Sequence, residues 1–269
     1  MEIRDAGKMK HVVIYTDSRG RGLKEYIGRE FNSNGVQTTI VSRSGAKLAD
    51  LISEAEGALN RNRHIAYLVI SAGICDLTTR VFGEVRVLRY IRNQETIDSL
   101  KSQIAGIYTN FPDRINIATI YPASLQNYQQ HHNRSELTAE NKAEQDSLLS
   151  DIAELNKVIV SCNIETDKQT INLGGLFLRS SIKKKEKKRV AKLNHNYLPD
   201  GVHPSDEAKE KCFTRFKVVL KPELTRRLLA MKGEERQQQR IREQEPIEDS
   251  TESETEETWD FKKKRARKN

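Results

Sequence analysis

Residues His11–Gly20 read HVVIYTDSRG. His11–Thr16 (HVVIYT) is a short apolar, β-branched run, which predicts a buried strand. Asp17-Ser18-Arg19-Gly20 supplies the turn that ends it. Leu23, Ile27 and Phe31 then fall on one helical face, so Gly22–Phe31 reads as a helix. A buried strand, a polar turn and an amphipathic helix make the first half of a βα unit.

The same alternation continues along the chain. Gln37–Ser42 (QTTIVS) predicts a second strand, ending at Ser44–Gly45. Leu48, Leu51, Ile52, Ala55 and Leu59 mark a second helix. Ala66–Ser71 (AYLVIS) predicts a third strand, followed by Gly73. Ile97–Tyr108 predicts a helix, Ile115–Tyr121 (INIATIY) a fourth strand and Leu137–Ile159 a long helix. Gln169–Leu173 is a weaker fifth strand, and Asp206–Leu229 a final helix that Pro222 interrupts or kinks. Strands alternating with helices predict a parallel sheet covered on both faces, a three-layer αβα sandwich with five strands.

In such a sheet, functional groups gather on the loops after the carboxyl ends of the strands. Four polar segments fall there: Asp17-Ser18-Arg19-Gly20, Ser44-Gly45, Gly73-Ile74-Cys75-Asp76, and Asp200-Gly201-Val202-His203-Pro204 before the last helix. A serine nucleophile needs a base, usually His, and the base needs a third group to fix its tautomer. Asp200, three residues before His203, can turn back toward the imidazole. The amides near Ser18 and at Gly45 are candidates to face a developing oxyanion. Each residue also has a purely structural use. Asp17 or Ser18 can cap the next helix, Ser205 can cap the last one, and Pro199-Asp200-Gly201 is a good turn.

Asp-Ser after the first strand, Gly after the second, Gly-x-x-Asp after the third and Asp-x-x-His near the domain end, taken together, resemble the SGNH hydrolases, the GDSL-like esterases and lipases. The resemblance spans about residues 10–230. It implies a flavodoxin-like sandwich and hydrolysis of a small ester or acylated substrate, with no metal or cofactor. It implies Ser18 as nucleophile, His203 as base and Asp200 as the orienting carboxylate. The Ser18 and Gly45 amides would form two parts of the oxyanion hole. Two positions depart from the family pattern. Thr16 stands where the family has Gly, and Cys75 where it has the Asn that gives the third oxyanion donor. A thiol donates a hydrogen bond weakly compared with a carboxamide. Asn93 and Asn127 are candidate replacement donors. The alternative reading is a weak or inactive SGNH-like binding module, of mobile-element or viral type, that engages nucleic acid or protein.

Composition bounds the rest. The 269 residues carry a net charge of +8, with 36% hydrophobic and 31% charged residues. The charge is segregated. Arg179–Lys192 has eight bases and one acid and reads as a basic loop, a candidate nucleic-acid contact. Residues 232–269 hold ten bases and eleven acids, with nine acids in Glu243–Asp260 and a basic end, Lys262–Lys268 (KKKRARK). Such blocks cannot bury a core and predict a disordered tail. The expected plan is an extension over 1–9, a hydrolase-like domain over 10–231 and a charged tail over 232–269. The terminal cluster is a candidate ligand for a nuclear import receptor, giving an intracellular, nuclear or nucleocytoplasmic expectation. No apolar run reaches the roughly 18 residues of a membrane span. The opening MEIRDAGKMK lacks the apolar run of a secretory leader. Cys75, Cys162 and Cys212 have no paired spacing, which favours a reducing compartment over a disulfide or zinc framework. His131 and His132, in QNYQQHHNR, read as part of a solvated loop.

Overall fold

A computed structural model describes residues 11–23, 25, 27, 37–82, 86–133, 139–183 and 188–244. Residues 1–9 and Lys262–Lys268 lie outside them. The central sheet has four parallel strands: β1 (His11–Asp17), β2 (Gln37–Arg43), β3 (Ile65–Ser71) and β6 (Ile115–Ile117), in the order β2-β1-β3-β6. Between β3 and β6 the chain forms an antiparallel hairpin, β4 (Thr78–Val81) with β5 (Val87–Tyr90). The register is regular along β1 and β2, from His11 opposite Gln37 to Asp17 opposite Arg43. β1 pairs β2 on one side and β3 on the other, so the winding reverses between β1 and β3. That switch point leaves a crevice at the carboxyl ends of those two strands. The turn after β1 carries Ser18, and the turn after β3 carries Cys75.

Both faces of β1, β3 and β6 are buried, while the edge strand β2 is half-buried to exposed. Val13, Tyr15, Leu68, Ile70, Ile115 and Ile117 pack into one cluster with α1 (Leu48–Arg61), α3 (Gln94–Asn110) and α5 (Ala139–Glu165). Their sequence neighbours Val12, Ile14, Tyr67 and Val69 are buried as well. Thr16 and Ser71 share a small pocket with Leu23, Cys212 and Phe216, which puts Leu23 and the first turns of α6 (Asp206–Gln244) on the opposite face. Three layers result, as the alternation predicts.

The fifth predicted strand does not form. Gln169–Leu173 runs beside the end of β6, where Thr119 N donates to Ile171 O at 3.0 Å and Asn116 Nδ2 to Gln169 O at 3.1 Å. The contact is brief because Leu173 N turns back onto Ile171 O and the chain enters a 3-10 turn at Gly174–Phe177. The basic segment is a β-hairpin rather than a loop, β7 (Leu178–Lys183) with β8 (Lys188–Leu193). QNYQQHHNR is not a loop either. It falls largely in α4 (Leu125–Asn133), where His132 stacks on Tyr128 one turn earlier. The last helix passes through Pro222 without interruption. Residues up to Arg227 form one compact unit, and Leu228–Asn269 a second, whose described part is the end of α6. Helix over 232–244 fits the Gln, Arg and Glu there, all good helix formers. Residues 245–269 lie outside the described ones.

Candidate active site

The turn after β1 is held from beneath. Asp17 Oδ1 accepts Arg19 N at 2.9 Å and so caps the 3-10 turn Ser18–Gly20. The cap therefore belongs to Asp17, which frees the Ser18 hydroxyl. Arg19 Nε pairs with Asp17 Oδ2 at 3.1 Å, and both residues are buried. Arg19 Nη1 donates to Tyr121 O at 2.7 Å, and the guanidinium lies 3.7 Å from the Tyr121 ring centroid. Tyr121 in turn stacks on Phe177. A buried, paired and stacked Arg fixes the residue next to Ser18 as a lone Lys could not. The Thr16 departure is accommodated at Gly20, where a Cβ would fall 2.2 Å from Thr16 Cγ2.

The turn before α6 is built differently. Asp200 Oδ1 accepts Val202 N at 2.9 Å and His203 N at 2.6 Å. Its second oxygen, Oδ2, lies 2.6 Å from His203 Nδ1. Gly201 has φ +84°, and a Cβ there would sit 2.3 Å from Tyr128 N and 2.5 Å from Ser124 O. The turn thus docks backbone to backbone on the start of α4, where Ser124 N donates to Gly201 O at 2.7 Å. Ser124 Oγ accepts Asn127 N and contacts His195 Nδ1 at 2.9 Å. Burial pushes the His195 pKa down. Asn127 Nδ2 donates to the carbonyls of His195 and Leu198. Ser205 Oγ accepts Ala208 N, the expected cap of α6.

The two turns meet. His203 Nε2 lies 3.3 Å from Ser18 Oγ, across 185 residues of sequence. Burial works to raise the Asp200 carboxyl, but the His203 ring and the His203 and Val202 amides outweigh it. They hold its pKa well below the usual carboxylate range. An ionised carboxylate only accepts, so the Nδ1 proton belongs to His203. In the neutral ring the bare lone pair is then on Nε2, facing Ser18 Oγ.

Ser18, Gly45 and Cys75 line one cavity of about 310 Å³, with Lys47, Thr79 and Arg80 among its other walls. Gly45 has φ +75° with open space where a Cβ would stand, so its backbone faces the cavity unobstructed. The Cys75 turn is tied to α1 by Asp76, whose Oδ2 accepts Leu48 N at 2.7 Å. Burial raises the Asp76 pKa to about 6, against the pull of the Leu48 and Ala49 amides. The expected replacement donors lie elsewhere. Asn93 caps α3 through Thr96 N, and Asn127 is committed to the His195–Leu198 carbonyls. Neither lines the cavity. The β4–β5 hairpin borders the site through Thr78, Thr79, Arg80 and Leu88. A larger cavity, about 640 Å³, lies along α5 beside Ile120 and Asn156, away from Ser18 and His203. The smaller cavity is lined by Ser18 and by Val202, the chain neighbour of His203, and is the candidate site.

Three solved structures are similar to this chain at low identity. An α/β hydrolase enzyme from the metagenome of Lake Arreo, Spain, is 12% identical with a TM-score of 0.49, covering 78% of this chain and 94% of its own. The psychrotrophic esterase EstA from a Pseudoalteromonas species is 9% identical with a TM-score of 0.45, covering 80% and 99%. A carbohydrate esterase of family 3 from Talaromyces cellulolyticus is 13% identical with a TM-score of 0.45, covering 81% and 97%. No protein-family model and no curated protein matches the sequence.

Sequence reasoning missed Arg19, Asp76 and the Ser124–His195 contact as parts of the site. Asp17-Ser18-Arg19 held the only visible hint, an Asp and an Arg flanking the Ser. The other two act through partners 28 and 71 residues away, which no local spacing marks.

Proposed function

We propose that this chain is an SGNH-like serine hydrolase that cleaves a small ester through an acyl-enzyme. The observation that carries the reading is the chain of contacts from Ser18 Oγ to His203 Nε2, and from His203 Nδ1 to Asp200 Oδ2. Ser18 Oγ attacks the acyl carbon as Nε2 takes the hydroxyl proton. The C–O π electrons move onto the carbonyl oxygen, which the Ser18 and Gly45 amides receive. The tetrahedral intermediate collapses, expelling the alcohol, which takes the proton from His203. Water repeats the sequence on the acyl-Ser18 bond, releases the acid and restores Ser18. Asp200 keeps the imidazole in the required tautomer and stabilises its cationic form.

Cys75 occupies the third donor's place in this reading. Loss of one oxyanion donor costs on the order of 10²–10³ in turnover, so slow catalysis is the expected character of this enzyme. Turnover of short-chain 4-nitrophenyl esters by the wild-type chain, lost in Ser18→Ala, is the result that supports the proposal. Equal rates for the two proteins would refute it. Nuclear delivery through Lys262–Lys268 is a separate proposal, checked by loss of nuclear accumulation when those bases are replaced by Ala.

A further inference from the structure

We propose that the cavity beside Ser18 selects an anionic ester, a short substrate whose carboxylate or phosphate is held by Lys47 and Arg80. Its status as an ester rests on the hydrolase reading above; its charge rests on the cavity alone. The charged residues that line the cavity are Arg19, Lys47 and Arg80, all cationic, and no carboxylate lines it among the described residues. Arg19 is already committed to Asp17 and to the Tyr121 carbonyl. Lys47 and Arg80 have no ion-pair partner among the described residues. Arg80 is 6.0 Å from the Tyr128 ring centroid, a contact that leaves its N–H groups available. Burial pushes the Cys75 thiol up and the nearby Asp17 charge adds to this, while the charges of Arg19 and Arg80 act in the opposite sense.

The two cations come from different elements, Lys47 at the start of α1 and Arg80 on β4. With Ser44 and Thr79 they surround the cavity with donors. A cleft lined by one sign of charge concentrates the opposite ion. A neutral ester offers these groups only uncharged acceptors, whereas a carboxylate or phosphate accepts charge-assisted hydrogen bonds from both. The volume, about 310 Å³, lies at the small end of ligand pockets and limits the substrate to a short one.

The test separates charge selection from chemistry by using the full chain carrying Ser18→Ala, which retains the cavity and lacks the proposed nucleophile. Binding of monomethyl succinate is compared with that of dimethyl succinate by ligand-observed NMR at low salt. Acetylglycerol phosphate is compared with acetylglycerol in the same way. The expected result is that at least one anion binds about tenfold more tightly than its neutral partner, an advantage that shrinks as salt is raised. The pair with the larger ratio tells carboxylate from phosphate. Adding Lys47→Gln and Arg80→Gln removes the preference, and Arg80→Lys with Lys47 intact keeps most of it. Equal binding of both members of each pair, no binding of any, or a preference that survives the double Gln variant would overturn the proposal. None of these outcomes depends on whether Ser18 attacks, which wild-type turnover decides separately.

Discussion

The two halves of the candidate site are anchored in opposite ways. Ser18 stands at the end of a central strand, buried, over an Asp17–Arg19 ion pair that is itself buried and stacked on Tyr121. Asp200 and His203 stand on a half-exposed turn between a 3-10 segment and the last helix. Among the described residues, no strand holds that turn. Its position comes from backbone contact with the start of α4, at Gly201, Ser124 and Tyr128. One half is set by the sheet and the other by docking. The geometry of Ser18 should therefore survive most local changes, while that of His203 depends on a few contacts remote from it.

Substitutions on the docked half should show the larger effects. Asp200→Asn removes the negative charge that fixes the His203 tautomer, and kcat should fall on the order of 10⁴-fold with KM nearly unchanged. A drop of less than tenfold in ester turnover would mean that Asp200 serves only the turn. Gly201→Ala forces a Cβ onto Tyr128 N and into a left-handed φ, at a strain cost of about 1–3 kcal/mol. Displacing His203 by about 1 Å should cost on the order of 10² in kcat, with Ser18 still buried. Steady-state kinetics beside a thermal melt separates misplacement from unfolding.

On the sheet-anchored half the effects are smaller. Cys75→Asn supplies a carboxamide donor in the cavity, and kcat should rise by about tenfold or more if the missing donor limits the rate. An unchanged or lower kcat would show that another group already fills that role. Asp76→Asn bears on stability rather than rate. The folded-state pKa of Asp76 is raised from its ordinary 3.8 to about 6, so the folded protein binds the proton more tightly than the unfolded chain. Its contribution is fully present below about 3.8 and is lost as pH rises through about 6. That decline amounts to roughly 3 kcal/mol across the window. Urea unfolding at pH 4 and pH 7 should show a smaller fall for Asp76→Asn than for the wild type.

The same contrast explains what the sequence made legible. β1 and β3 were readable because apolar runs of strand length ended in polar turns, and burial on both faces leaves no other use for such runs; β2, half-buried, was readable from its β-branched residues ahead of Ser44–Gly45. Ser18, Asp200 and His203 were readable because short motifs fell at the expected ends of elements. The docking half was not. Ser124 contacts His195 across 71 residues, and Gly201 meets Tyr128 across an interface that neither local sequence announces. Gln169–Leu173 carried enough β-branched character to suggest a strand, but the turn at Leu173 and the Gly174–Phe177 segment end its pairing with β6. The two hairpins were missed for a different reason. Their strands are only four to six residues long, and Thr78–Val81 and Lys188–Leu193 mix charge with apolar residues without a clear stripe.

A fluorophosphonate reports directly on the proposed activation of Ser18 by His203. Phosphorus is attacked by the activated oxygen and fluoride leaves, so the adduct marks the attacking atom. Peptide mass spectrometry of the treated chain should find a single phosphonylated serine, Ser18, formed much more slowly in His203→Ala and not at all at that position in Ser18→Ala. An unmodified Ser18 after exhaustive treatment, or labelling at the same rate in His203→Ala, would contradict the account.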